Sequence, residues 1–316
     1  MRRAAPAAPL PDAPNTMPLW LAATPSAALF QCWRTALQQK LRGTLSLNAA
    51  AVVRYLYGVP PGLALVGLWW WASGSELPAF GPVALLLCAV GGVLQIFGTL
   101  FLISSFAPRG FAVGTAYSKT EALQGAVFAM ILLGEHLPPL AWVGVAMGVS
   151  AVLWLSMAGQ VSSLRQALQA TAQPAALHGV AAGACFGLTG IAIRAANQDL
   201  AAPDTVLGAL CTLVVTNAMQ TVLQGGWLLA REPASVGQVF RQWRNAAPVG
   251  LLSAMGSACW FTGFALAPVA LVRSVGQVEI VFTLAFGRWY LREPLKLRDA
   301  VGALLIVASV VLVVLA

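Results

Sequence analysis

Two acids carry most of the chemistry this sequence can do. Glu121 and Glu279 each lie inside a long apolar run, and each is followed fourteen residues later by a second acid, Glu135 and Glu293. Acids are scarce, 10 in 316 residues, so two pairs with one spacing are hard to assign to chance. If the runs are helices, each inner glutamate lies roughly 15 Å from the helix start. At that depth in a bilayer a charge costs at least ~2.5 kcal/mol, so such residues face a cavity or a partner. A carboxyl that is costly to keep ionised and unpaired is also one that can take up and release a proton. The competing reading is a structural ion pair, with Lys119 or Arg54 as the cation.

Other polar residues share these runs. Arg54 and Lys119 are candidates for an anionic group on a solute, although Arg54 is near enough to its span start to snorkel. Gln124 and Gln277 flank the two glutamates and join them as substrate- or proton-site candidates. Gln31, Arg34, Gln95, Asn217 and Gln220 are polar within spans as well, where interhelical hydrogen bonding is the plainer role. Glu135 and Glu293 read as structural markers at helix ends.

The elements that must position these groups follow from composition. Hydrophobic residues make up 59% of the chain and charged residues 9%, against about 25% charged in a soluble domain. Mean hydropathy is +0.79. Apolar runs bounded by charge, Gly or Pro place spans at about 18–38, 49–71, 80–104, 111–133, 138–158, 177–196, 205–229, 247–267, 269–291 and 298–316. They do not alternate as barrel strands would, so they are helices. The fold class is therefore an all-α integral membrane protein of about ten transmembrane helices. Arg34 and Gln38 make the first span the weakest. Pro60 and Pro61 predict a kink in the second. Gly144 and Gly148, and Gly179, Gly183 and Gly187, repeat every four residues, the spacing that lets helices approach closely in lipid. The tryptophans, including Trp69, Trp70 and Trp71, lie toward span ends as an interfacial belt.

Residues 1–17 begin with Arg2 and Arg3 and carry four prolines, which reads as a disordered tail rather than a signal peptide. The stretch 159–176 reads as a linker. The stretch 230–246 reads equally as a solvated loop or as an interfacial helix with Val236, Phe240 and Trp243 on one face. The net charge of +8 belongs to loop Lys and Arg beside spans, and no basic run is interleaved with aromatics as a nucleic-acid surface would be. Cys32, Cys88, Cys185, Cys211 and Cys259 form no CxxC pair, and His136 and His178 join no ligand cluster, so neither a metal nor another cofactor is implied. Phosphate-binding loops, zinc-protease motifs and nucleophile elbows are missing from the sequence, so no catalytic residues are assigned and ATP-driven transport is unsupported.

The chain also resembles itself. Residues 107–155 and 267–313 both open on Ala-Pro, and an offset of 158 then aligns Glu121 with Glu279, Phe128 with Phe286, Glu135 with Glu293, Leu137 with Leu295 and Gly144 with Gly302. Tandem repeats of five spans each must lie in opposite orientations, the inverted-repeat architecture of many secondary transporters. The repeats are 18–158 and 177–316.

At these residues the chain resembles the drug/metabolite transporter superfamily, specifically its ten-helix EamA-type members. That family often carries in each half an E-P, an apolar run and a G-E near the helix end. Glu121 with Gly134–Glu135, and Glu279 with Glu293, stand at those places, and Arg54–Tyr55 matches an Arg-aromatic pair common in its second span. Ala122 and Ile280 replace the family's usual prolines, so no residue marks a helix break at either acid. The resemblance implies a secondary transporter of a small solute in the inner membrane, with both termini cytoplasmic. That orientation leaves only Arg2, Arg3, Arg194 and Arg273 inside, contrary to the usual cationic bias of cytoplasmic loops. Competing readings are a non-transporting membrane scaffold, which needs no cavity between the halves, and a membrane-embedded enzyme acting on a lipid-linked substrate, which needs acids or histidines gathered at one interface.

Overall fold

The computed structural model describes residues 18–41, 43–105, 117–157, 174–289 and 297–316. The N-terminal tail, most of the 159–176 linker, and Glu293 lie outside them. Among the described residues there are thirteen helices and no strand. In chain order they are α1 (Leu19–Leu41), α2 (Leu47–Leu56), α3 (Val59–Ser73), α4 (Pro82–Ser104), α5 (Glu121–Leu133), α6 (Pro139–Met157), α7 (Pro174–Leu200), α8 (Thr205–Arg231), α9 (Pro233–Arg241), α10 (Trp243–Leu266), α11 (Val269–Gly276), α12 (Glu279–Trp289) and α13 (Leu297–Leu315).

Each expected apolar run carries a helix or a pair of helices. Six are long and apolar enough to cross a membrane, counting α2 and α3 together; α5 and α6 are shorter apolar helices. The first run forms α1 but falls outside those six, as Arg34 and Gln38 foreshadowed. The stretch 230–246 holds the short helix α9, with Val239 buried.

Charged side chains lie buried inside the molecule, while its outer faces are apolar. Arg34, Arg54, Glu121 and Arg273 are at most 8% exposed, whereas Leu68, Leu86, Val222 and Leu304 on outer faces are more than 60% exposed. Water would penalise that arrangement, and a hydrocarbon surround favours it. The chain is a multi-pass integral membrane protein.

Three spans are interrupted. Between α2 and α3 the break falls at Tyr57–Gly58, because Pro60 and Pro61 open α3 without amide protons to donate. Between α11 and α12 no proline is involved. Instead Gln277, Val278, Ile280 and Val281 donate to carbonyls three residues back, over 3.2, 3.2, 3.1 and 2.9 Å, a 3₁₀ tightening that sets Glu279 at the start of a new helix. Thr120 likewise donates to the Tyr117 carbonyl over 3.2 Å, and Glu121 begins α5. Both acids are thus first residues of helices rather than mid-helix residues, a break that composition did not mark.

Glycines make the seams. A Cβ on Gly98 of α4 would come within 2.9 Å of the Phe186 ring of α7, and one on Gly187 of α7 within 3.2 Å of Gly125 Cα of α5. Gly144 of α6 presses against Val313 of α13 in the same way. The expected small-residue spacings therefore serve packing. The pairings also come in matched sets. Exchanging the halves sends α1 to α7, the α2/α3 span to α8, α4 to α10, α5 to the α11/α12 span and α6 to α13. Under that exchange the observed α1–α10 contact maps onto α7–α4, α5–α7 onto α11/α12–α1, and α2–α10 onto α8–α4, all of which are present.

Helix α8 is clasped at both ends to the interrupted α2/α3 span. At its start, Asp204 Oδ1 accepts from the Val206 and Leu207 amides at 2.9 and 3.0 Å, while Oδ2 accepts from Trp69 Nε1 at 2.8 Å. At its end, Glu232 accepts from Ser46 Oγ at 2.5 Å and Asn48 Nδ2 at 2.7 Å. Those two donors hold the Glu232 carboxyl below its ordinary range. A carboxyl so depressed adds stability that is complete above the unfolded carboxylate pKa and lost as pH falls through the folded one. Glu232→Ala is therefore expected to lower the unfolding temperature in detergent at pH 7. The gap from wild type should narrow as the buffer is taken down through the carboxylate range; a gap that stays constant with pH would show that the clasp owes nothing to ionised Glu232.

Candidate functional site

The breaks beside Glu121 and Glu279 converge on one central cavity. Its wall takes Gln31 and Arg34 from α1, Arg54 from α2, Gln95 from α4, Ser118 and Lys119 from the turn before α5, and Glu121 from α5 itself. The second half adds Phe186, Ser257, Trp260, Phe261, Phe264, Arg273 and Glu279. The free volume is about 70 Å³. That holds a few waters, while a pocket for a drug-sized ligand runs to ~300 Å³ or more.

Inside the cavity, two ion pairs cross between the halves. Lys119 Nζ lies 2.6 Å from Glu279 Oε2. The same oxygen accepts from Gln31 Nε2 at 2.7 Å, and Gln31 Oε1 accepts from Trp260 Nε1 at 3.1 Å. Arg273 lies 3.5 Å from Glu121 Oε1. It also donates to the Phe186 carbonyl at 2.8 Å and stacks 4.9 Å from the ring centres of both Trp260 and Phe264. Each acid sits at a helix N-terminus, where the peptide dipoles favour negative charge. Each is paired with a cation from the opposite half. The sequence offers Lys119 as an ion-pair partner without deciding between the acids; the turn at Lys119–Thr120 carries its ammonium to Glu279 rather than to nearby Glu121.

Arg54 lines the cavity as expected, donating from Nη1 to Thr99 Oγ1 at 2.9 Å. Gln124 and Gln277 do not line it. Gln124 donates to Thr120 Oγ1 at 2.7 Å beside α7. Gln277 faces Gly148 and Ser309, and its amide nitrogen and oxygen are buried without a partner among the described residues. Two cations were missed. Arg34 reads from sequence as a polar residue that weakens the first span and counts with the outside cations, and Arg273 counts with the cytoplasmic loops. Both are buried in the cavity wall, so neither bears on the loop count. The signal for Arg273 was available: it lies four residues inside the run that begins at 269. Gln95 and Gln220 bond each other at 2.8 Å, the interhelical role assigned to them. Glu135 ends its helix and pairs with Arg194, which also donates to the Phe264 and Ala267 carbonyls at 2.8 Å each, tying the α5–α6 turn to the α10–α11 turn. Among the described residues no cluster of His, Cys, Asp and Glu has the makings of a metal site.

The EamA-like transporter family model matches residues 173–315, from the start of α7 to the end of α13. The second half of the chain is similar to that family along nearly its whole length. A solved crystal structure of a protein aligns with a TM-score of 0.66 at 20% identity, covering 93% of this chain and 98% of that one. That likeness extends the fold, though not the function, across both halves. No curated protein matches the chain. The EamA-like half contributes Arg273 and Glu279 to the cavity, and the half before it contributes the partners of both.

The Lys119–Glu279 pair gives a direct test of this site. Removing one member of a buried pair typically costs about 3–5 kcal/mol, because the other charge is left uncompensated. Lys119→Met and Glu279→Gln should each lower the unfolding temperature of the purified protein, and the double variant should recover most of the loss. Additive losses in the double variant would mean that the two side chains are energetically independent.

Proposed function

We propose that the protein is a secondary transporter of a small solute in the inner membrane, with the cavity between its two five-span halves as the solute site. The observation that carries this reading is the cavity itself: six ionisable side chains, contributed by both halves, surround a space in the middle of a bundle whose outer faces are apolar. A membrane scaffold has no use for such charges, and an enzyme acting on a lipid-linked substrate would gather its acids at one interface. The matched helix pairings support two halves related by a twofold exchange, and an odd number of spans per half makes that relation an inversion.

In this reading the described conformation is a closed one, since its free volume suits waters rather than a solute. Opening requires the halves to part, and the two cross-half ion pairs of the cavity are what they must give up. Protonation of Glu279 removes the charge that holds Lys119, so proton uptake loosens one of the two locks. Solute binding to the released cation favours the same change. Glu279 is the proposed proton carrier, and Glu121, paired with Arg273, the proposed ligand or structural acid.

Uptake into proteoliposomes under an imposed pH gradient tests the coupling. Glu279→Gln keeps the shape and removes the titration, and is expected to abolish the dependence on the gradient while leaving exchange of solute for solute. Glu121→Gln is expected to weaken solute uptake and to keep the gradient dependence. Unchanged gradient dependence in Glu279→Gln, at wild-type protein levels, would rule out Glu279 as the carrier.

A further inference from the structure

The charges in the cavity do not balance. Arg34, Arg54, Lys119 and Arg273 face Glu121 and Glu279. The two ion pairs use Lys119 and Arg273, and among the described residues no carboxylate lies within ion-pairing distance of Arg34 or Arg54. Both arginines are buried, at 8% and 4% exposure, and the Nε of each is enclosed without a hydrogen-bond partner among the described residues. A guanidinium stays protonated in proteins, so this excess cannot be relieved by losing a proton. Holding two unpaired cations in a low-dielectric interior is costly. Such a cost is offset when a ligand supplies the missing charge.

The geometry points to an anionic solute: Arg34 and Arg54 form the receptor for the oxyanion of a small organic anion, and Phe261, on the opposite half, offers an apolar surface for its body. This rests on the transporter reading and adds the charge class of the cargo. Guanidinium groups suit carboxylate and phosphate oxygens, which they bind with paired donors. Two excess positive charges match a dianion better than a monoanion, so a dicarboxylate or a phosphate monoester is the expected fit. A neutral solute would leave the excess in place, and a cation would increase it.

The test uses the full chain purified in detergent, at fixed ionic strength, with succinate, phenyl phosphate and benzoate as probes and succinamide and benzamide as their uncharged counterparts. The anions, the dianions most strongly, are expected to raise the unfolding temperature saturably, and the amides to leave it unchanged. Arg34→Gln and Arg54→Gln should each raise the half-saturating concentration by about tenfold or more, the usual scale for loss of a buried charge-assisted contact. Arg231→Gln, on an exposed position at the end of α8, should not. If a Gln variant does not fold, Arg34→Lys and Arg54→Lys keep the charge and lose the paired donors, and should show weakened protection. Protection that the amides match, that survives the arginine substitutions, or that no anion produces would overturn the proposal. Counterflow of the same probes in liposomes separates the two claims: flux of a neutral or cationic solute without anion binding sinks the anion site alone, whereas anion binding without flux sinks the transporter reading alone.

Discussion

A carboxylate buried in the middle of a membrane bundle needs a cation there, and in this protein each of the two acids takes it from the other half. Glu279 is met by Lys119, and Glu121 by Arg273. Neither acid finds its cation within its own half of the chain. The two halves are therefore held together by an interaction that either would be worse off without, since a lone carboxylate in that position would face the full desolvation penalty. The interrupted helices, the glycine seams and the position of Arg273 against Trp260 all serve to bring these four side chains to one place.

Backbone geometry makes the pairing possible. A continuous α-helix through Glu279 would set it mid-helix; the 3₁₀ turn at Gln277–Val278 ends α11 and lets α12 begin at the acid. The same arrangement recurs at Glu121. Close packing is then needed to hold the short helices, and Gly183 and Gly187 of α7 supply it. A Cβ at Gly183 would come within 3.0 Å of the Ser118 carbonyl and 3.2 Å of the Glu121 amide, so the first turn of α5 lies directly on α7. Away from the cavity, Asp204 and Glu232 tie the two ends of α8 to the α2/α3 span.

Much of this was legible in the sequence. Long apolar runs, scarce charges and four-residue glycine spacings report directly on a lipid surround and on helix contact, because those constraints act residue by residue. The recurrence of Glu121 and Glu279 at one offset located the cavity, and Arg54 and Lys119 were found with them. The backbone breaks were not legible, since without proline a 3₁₀ turn is set by tertiary packing and leaves no compositional mark. The partners were only partly legible. Which cation meets which acid depends on how opposite halves cross, and Arg273 and Arg34 looked like loop and glue residues until that crossing was known. Gln124 and Gln277, close to the acids in sequence, point elsewhere: Gln124 turns back onto Thr120, and Gln277 sits in the turn before α12 against Gly148 and Ser309.

The central claim is that the cavity is a solute path closed by these cross-half pairs. Ser257 lines it and is 6% exposed, so its accessibility reports on opening. The decisive measurement is the rate at which Ser257→Cys, in a background freed of the five native cysteines, reacts with a membrane-impermeant thiol reagent in right-side-out and inverted vesicles. The account predicts reaction from both faces, faster when Glu279→Gln removes one of the locks. Reaction from one face only, or none from either, with no effect of Glu279→Gln, would contradict it.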